Sequence, residues 1–272
     1  MLNRLKERIR GYIYHTIKSA YLDALKEHTV ASPPRKVDIV ASVHEAFNKY
    51  VPHENSFFNN PHFWNRINAA QEAAQFIREN NKDAIIFRDN RSAAIKYSLS
   101  LITVDGLIIE CGVFKGRSIN LIAQHLPEKT IYGFDSFEGL PENWTGWKDH
   151  QKGALATPLP QVKDNVVLIK GWFDDTLPKF HQEQPMEAIG LLHIDCDLYS
   201  STVTILETLV TRIVPGTVIV FDEYLNFVTW REHEAKAFAE FCEKYKVKFR
   251  FKAYGFFQAV VVIDEISNTD IF

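Results

Sequence analysis

From residue 105 onward, short apolar runs alternate with stretches of helical periodicity. The runs are LIIECG (107–112), IYGFDS (131–136), VVLIKG (166–171), IGLLHIDCD (189–197) and TVIVFDE (217–223). Between them, segments 116–125, 174–181, 201–213 and 231–245 carry apolar residues at helical spacing. Runs this continuous read as strands buried on both faces, and strands alternating with helices predict βαβ units and a parallel sheet. The end of the chain breaks the rhythm. VKFRFKAYG and FQAVVVID are joined so tightly that they can only be antiparallel neighbours. The pattern therefore predicts an α/β fold of five parallel strands closed by a terminal antiparallel hairpin, an ending foreign to dinucleotide-binding domains.

Upstream the pattern is helical. Leu2, Leu5, Ile9, Ile13, Ile17, Ala20 and Leu25 fall roughly on one face, with Arg4, Lys6, Arg8, Arg10 and Lys18 on the rest. Acidic residues interrupt that basic face, so packing on a domain or a sister subunit is favoured over a membrane surface. Ser32-Pro33-Pro34 ends this helix, residues 36–60 are mixed in pattern with loops suggested by Pro52, Pro61 and an Asn-rich patch, and 62–80 and 91–103 read as helices. The chain is thus divided into an N-terminal helical region, 1–90, serving as cap or oligomer contact, and an α/β domain, 91–272. The apolar face of the first helix needs a partner, which predicts a homo-oligomer.

Composition changes this picture little. With 272 residues, 46% of them hydrophobic, the chain suits one large α/β domain with an appendage. A net charge of −3 gives no global reason to expect nucleic acid. Three cysteines without a CxxC pair, two of them inside expected strands, point to a reduced, cytoplasmic protein. No apolar stretch is long enough to cross a bilayer, and the N-terminus lacks a signal peptide's apolar core.

The chemistry lies where the apolar runs stop. In open α/β sheets, ligands bind beyond the carboxyl ends of the strands; four of the five runs end in an acid or a glycine, and the fifth in Asp135-Ser136. LIIECGVFKGRS places Glu110, Gly112, Val113, Gly116 and Ser118 at a strand-to-helix turn, where backbone can approach a ligand and a helix N-terminus can receive an anion. The spacing is not GxGxxG, which favours an amino-acid-like ligand over a pyrophosphate; a tight turn with no ligand is the bland alternative. Asp135, ending the next strand with Ser136 after it, stands where an acid takes ribose hydroxyls, or else caps a turn. A nucleoside joined to an amino acid is S-adenosylmethionine. Asp195, Asp197, Asp222 and Glu223 end two further strands. Acids gathered this way repel one another unless a hard cation such as Mg²⁺ is shared between them. Asp197 has a bland alternative, capping a helix that begins near Ser201, and Glu223 has another, solvent exposure.

ECGVFKGRS, YGFDSFEGLPE, KGWFDDTLP, HIDCDLYSST and VIVFDEY, in this order, resemble the macrocin O-methyltransferase family, over roughly the C-terminal 60% of the chain. The resemblance implies the class I methyltransferase fold, a Rossmann-like parallel sheet ending in an antiparallel hairpin. It also implies Mg²⁺-dependent methylation of a sugar hydroxyl on a glycosyl or polyol acceptor, and composition and hydropathy add the expectation of no nucleic acid and no integral membrane segment. It makes Glu110, Gly112, Val113 and Ser118 contacts of S-adenosylmethionine, with Asp135 and Ser136 at the ribose and Trp172 and Phe173 near the adenine. Asp195, Asp222 and Glu223 match the metal ligands, although the family usually has an aspartate where Glu223 stands. Catalysis falls to Asp195 and to His150, the only histidine in the long connection 137–164, which reads as a lid. His233 is the second candidate base, and His193 reads as a sheet residue. Trp144, Trp147, Trp230 and Tyr224 are candidates for the acceptor pocket. Two other readings compete: a nicotinamide-dependent oxidoreductase, and a methyltransferase-fold protein that binds without catalysis.

Overall fold

A computed structural model describes residues 61–80, 83–87, 91–146 and 148–267. Contacts divide the chain into two units, Met1–Asn65 and Arg66–Phe272, and the description below concerns the second. The expected first helix, the oligomer contact and Trp147 lie outside the described residues.

The second unit is built on an eight-stranded sheet. Its strands are β1 (Ile85–Ile86), β2 (Leu107–Cys111), β3 (Ile131–Asp135), β6 (Val166–Lys170), β7 (Ile189–Ile194), β8 (Val218–Phe221), β9 (Lys248–Tyr254) and β10 (Ala259–Glu265). The spatial order is β1-β9-β10-β8-β7-β2-β3-β6. Strands β6, β3, β2, β7 and β8 are parallel neighbours, as the sequence pattern predicts. The closing hairpin is present, with one refinement. The last strand, β10, inserts between β8 and β9 and runs against both, so the outer arm β9 points the same way as the parallel set. Such a sheet, with one reversed strand held inside it, is the class I methyltransferase architecture rather than a dinucleotide-binding one.

Helices cover both faces because alternate residues of every central strand are apolar on both sides. Ile109, Cys111, Leu192, Ile194, Ile219 and Phe221 face one layer. That layer is formed by α1 (Pro61–Asn80), α4 (Phe173–Glu183), α5 (Tyr199–Leu209) and α6 (Glu234–Lys244), through Ala73, Leu177, Leu206 and Phe238 among others. Ile108, Ile131, Leu191, Val218 and Val220 face the other, formed by α2 (Arg91–Leu99) and α3 (Arg117–His125) through Ile95, Ile119 and Ile122. Strands β2 and β7 are buried along their whole length. This is why their sequences show no polar alternation.

Boundaries differ from the expected ones where turns intervene. The helix predicted from Ser201 starts at Tyr199, with Leu198 as its N-cap and no side-chain cap bond, so Asp197 does not cap it. The helix predicted from 231 begins at Glu234, behind a short 3₁₀ turn at Trp230–Glu232. Within the connection 137–164, two short strands, β4 (Trp144–Thr145) and β5 (Asp149–His150), pair antiparallel, Trp144 opposite His150.

The end of α4 is held by Arg212, which is 1% exposed. Its Nη2 donates to the carbonyls of His181 and Gln184 at 2.9 and 3.2 Å. Its Nη1 donates to those of Pro185 and Glu187 at 2.7 and 3.1 Å, and its Nε to His181 Nδ1 at 3.0 Å. The His181 and Gln184 carbonyls are of the kind that a helix terminus leaves without intrahelical partners, and those of Pro185 and Glu187 belong to the loop beyond it. Replacing Arg212 by alanine removes five hydrogen bonds to part-buried acceptors along with a buried side chain, and should lower stability by about 2 kcal/mol, measured by urea unfolding.

Candidate active site at the carboxyl edge of the sheet

The turn after β2 is shaped by one acid from the neighbouring strand. Asp135 Oδ2 accepts the amides of Val113 and Phe114, both at 2.8 Å, and Oδ1 accepts that of Phe137 at 2.7 Å. A single carboxylate thus clasps the β2–α3 turn and the start of the connection after β3. Gly112 must be glycine here. Its φ is +94°, and a Cβ would meet the Asp195 carbonyl oxygen at 1.8 Å. Gly116, at φ +75°, is the N-cap of α3. Phe114 also takes a positive φ, 48°, which for an aromatic residue is strained backbone.

Beyond these turns lies a cavity of about 640 Å³. Of the residues expected at a cofactor, Gly112, Asp135, Ser136, Trp172 and Phe173 line it. Glu110, Val113, Gly116 and Ser118 do not; all four are buried. Glu110 is taken up within the protein: Ser118 Oγ donates to its Oε1 at 3.0 Å, and His193 Nδ1 donates to its Oε2 at 2.8 Å. Ser118 therefore serves Glu110 rather than facing the cavity. His150 lines the cavity, its ring stacked on that of Trp144 with centroids 5.8 Å apart. His233 lies behind that tryptophan, within 3.4 Å of the Thr145 carbonyl, and burial lowers its pKa. Of the aromatic residues expected around an acceptor, Trp144 lines the cavity, whereas Trp230 and Tyr224 belong to the core beside Phe76.

The acids gather on the same rim. Asp195 and Glu223 line the cavity, and Asp222, 1% exposed, lies just behind them. Ligand atoms of Asp195, Asp222 and His193 all fall within 4.8 Å of one another. Glu223 is not in that group. Its amide donates to Glu234 Oε2 at 3.0 Å, while its own Oε2 has no hydrogen-bond partner among the described residues. His193 Nε2 stands 3.8 Å from Asp222 Oδ1, also without a hydrogen bond. Sequence reasoning missed three members of this rim. Arg91 pairs with Asp195 and donates from Nε to Asp222 Oδ1 at 2.7 Å; Glu234 approaches from α6; and His193 faces the acids from within β7. For His193 a signal existed, since it stands two residues before Asp195 and shares its strand face.

Burial drives the electrostatics. It raises the Asp195 pKa to about 8, with Asp222 adding repulsion and Arg91 and His193 opposing it. Burial and Asp222 raise Asp197 to about 7. Glu223 and Glu234 are pushed well above the usual carboxylate range, first by burial and then by Asp222. Asp222 alone goes down: burial works against it, but His193 and Arg91 outweigh that. His193, whose charge burial disfavours, is raised to about 10 by Asp222 and Glu110. A divalent cation suits this donor set, because it would satisfy the oxygens and nitrogen left without partners and offset the clustered charge.

Comparison with known proteins bears on the family and the fold. The family model described as macrocin-O-methyltransferase (TylF) matches residues 89–252. The 8-demethyl-8-(2,3-dimethoxy-alpha-L-rhamnosyl)-tetracenomycin-C 4'-O-methyltransferase of Streptomyces olivaceus is 31% identical over 158 residues, 48% of this chain and 58% of that protein. The mycinamicin III 3''-O-methyltransferase of Micromonospora griseorubida is 30% identical over 149 residues, 44% of this chain and 56% of the relative. The chain thus spans little more than half the length of the curated relatives it matches. Among solved structures, the calicheamicin methyltransferase CalS11 superimposes with a TM-score of 0.52 at 20% identity, over 86% of this chain and 94% of that one. The O-methyltransferase NovP gives 0.50 at 21% identity, over 64% and 79%. These two likenesses concern the fold. With the family model spanning most of the α/β unit, this chain belongs to the macrocin O-methyltransferase family.

Proposed function

We propose that the protein is an O-methyltransferase that moves a methyl group from S-adenosylmethionine to a hydroxyl of a sugar or glycosylated small molecule, with a divalent ion, Mg²⁺, in the site. One observation carries the reading: Asp195 and Asp222 converge within 4.8 Å at the rim of a cavity whose floor is the Gly112 turn. The relatives' names support the acceptor class, since one names a rhamnosyl-tetracenomycin and the other mycinamicin III. Residues 91–272 are then the S-adenosylmethionine domain, 1–90 a cap or oligomer contact, and the cytoplasm the place of action. Among the described residues no helix is long and apolar enough to cross a membrane.

The division of labour follows from position. The Gly112 turn lets backbone approach the amino-acid end of the methyl donor, and Asp135 and Ser136 stand where its ribose would lie. Trp172 and Phe173 offer faces to the adenine. Asp195 and Asp222, with Glu223 or His193 beside them, would hold the ion. A bound divalent ion lowers the pKa of a hydroxyl and orients it. His150, on the cavity wall, takes the hydroxyl proton on its imidazole as the oxygen bonds to the methyl carbon and the carbon–sulfur bond breaks. The remaining task is in-line placement with water kept out, which falls to the connection carrying Trp144 and His150.

Asp222→Asn should cut methylation of an L-rhamnosyl polyketide by a factor of about 100 or more, measured by mass spectrometry. Its calorimetric affinity for S-adenosylhomocysteine should stay within a few-fold of wild type. Undiminished methylation in EDTA would contradict the ion's part. His150→Gln should lower kcat by roughly 100-fold while leaving KM nearly unchanged, as expected for a group that acts on the proton in the transition state.

A further inference from the structure

Arg91 is the first residue of α2 and reaches across the fold to acids 104 and 131 positions away. Its Nη2 pairs with Asp195 Oδ2 and Asp222 Oδ2, and its Nε donates to Asp222 Oδ1. The guanidinium therefore spans both carboxylates of the group identified above as the candidate ion ligands. Its surroundings are asymmetric. Asp222 is 1% exposed, whereas the Arg91 side chain is 45% exposed and lines the cavity, so the arginine has open space to move into and the acid does not.

A divalent ion takes carboxylate oxygens at about 2.0–2.6 Å, through the lone pairs that the guanidinium fork occupies. Two cations at such range also repel one another, so the two arrangements exclude each other. We propose that Arg91 is an intramolecular competitor for the ion: docked, it neutralises Asp195 and Asp222, and it must swing into the cavity before a divalent ion can be held. This inference rests on the ion reading of the site and adds a residue that sets how tightly the ion binds. The consequence is quantitative. If the acids are free of Arg91 only a tenth of the time, the apparent dissociation constant is about ten times the intrinsic one. The acids remain close together without the ion, because the arginine supplies the counter-charge that their repulsion demands.

The test is Mn²⁺ binding to the full chain, followed by the loss of the free-ion paramagnetic resonance signal, for wild type, Arg91→Gln and Arg91→Lys. Arg91→Gln should bind Mn²⁺ roughly tenfold or more tightly than wild type, melt at a lower temperature in EDTA, and regain that loss when Mn²⁺ is added. Arg91→Lys keeps the charge but not the fork, and should bind a few-fold more tightly than wild type. If Arg91→Gln proves too unstable to titrate, the lysine variant carries the same comparison. Equal or weaker Mn²⁺ binding by the folded variants overturns the competitor role while leaving the ion site intact. No Mn²⁺ binding by any form, with S-adenosylhomocysteine still bound, removes the ion reading and this inference together.

Discussion

Like charge concentrated out of water is the constraint from which the rest of this structure follows. Asp195, Asp197, Asp222, Glu223 and Glu234 crowd one rim of the sheet, each raising or opposing the ionisation of its neighbours. Two such charges about 4 Å apart repel by about 4 kcal/mol at an effective dielectric of about 20. Among the described residues, Arg91 and His193 are the cations that the acids' pKa shifts register, and the pKa pattern shows that they answer the acids unevenly. Asp222, which both contact, stays ionised, while Glu223 and Glu234 are driven toward their neutral forms. This is the cluster that the proposed ion would neutralise.

The sheet imposes the cluster's geometry. His193 lies opposite Glu110 on one side and Val220 on the other, so Glu110, His193, Asp195 and Asp222 share one face of three adjacent strands. The glycine turn closes the remaining side. A Cβ on Gly112 would strike the Asp195 carbonyl, so the turn that shapes the cavity floor and the strand that carries the first acid are locked in one close packing. Asp135 adds the second lock by holding three loop amides at once. Cavity floor and acid rim are therefore positioned by the same few backbone contacts rather than by separate devices.

Much of this was legible in the sequence because it is written in strand periodicity. Continuous apolar runs predicted the parallel strands, and their terminal acids marked the carboxyl edge along which the structure gathers them. What stayed hidden depends on long-range pairing. Nothing local in RSAAIKYSL announces that Arg91 will meet Asp222, because the signal lies 131 residues away. Glu110 and Ser118 stand at the right place in the turn, yet they turn inward to His193 and to each other. Motif spacing fixes position along a strand but not which of two neighbours a side chain will choose. Trp230 and Tyr224 were equally ambiguous, since an aromatic residue after a strand suits a core as well as a pocket, and here the core beside Phe76 took them.

The most direct test of the account is a calorimetric titration of the wild-type chain with S-adenosylhomocysteine, in EDTA and then in Mg²⁺, followed by titration of Mg²⁺ itself. The account predicts that S-adenosylhomocysteine binds in both buffers and that about one Mg²⁺ binds per chain. Absence of heat from S-adenosylhomocysteine in either buffer would contradict the assignment of the cavity. Binding of S-adenosylhomocysteine without any Mg²⁺ binding would contradict the role given to the acids.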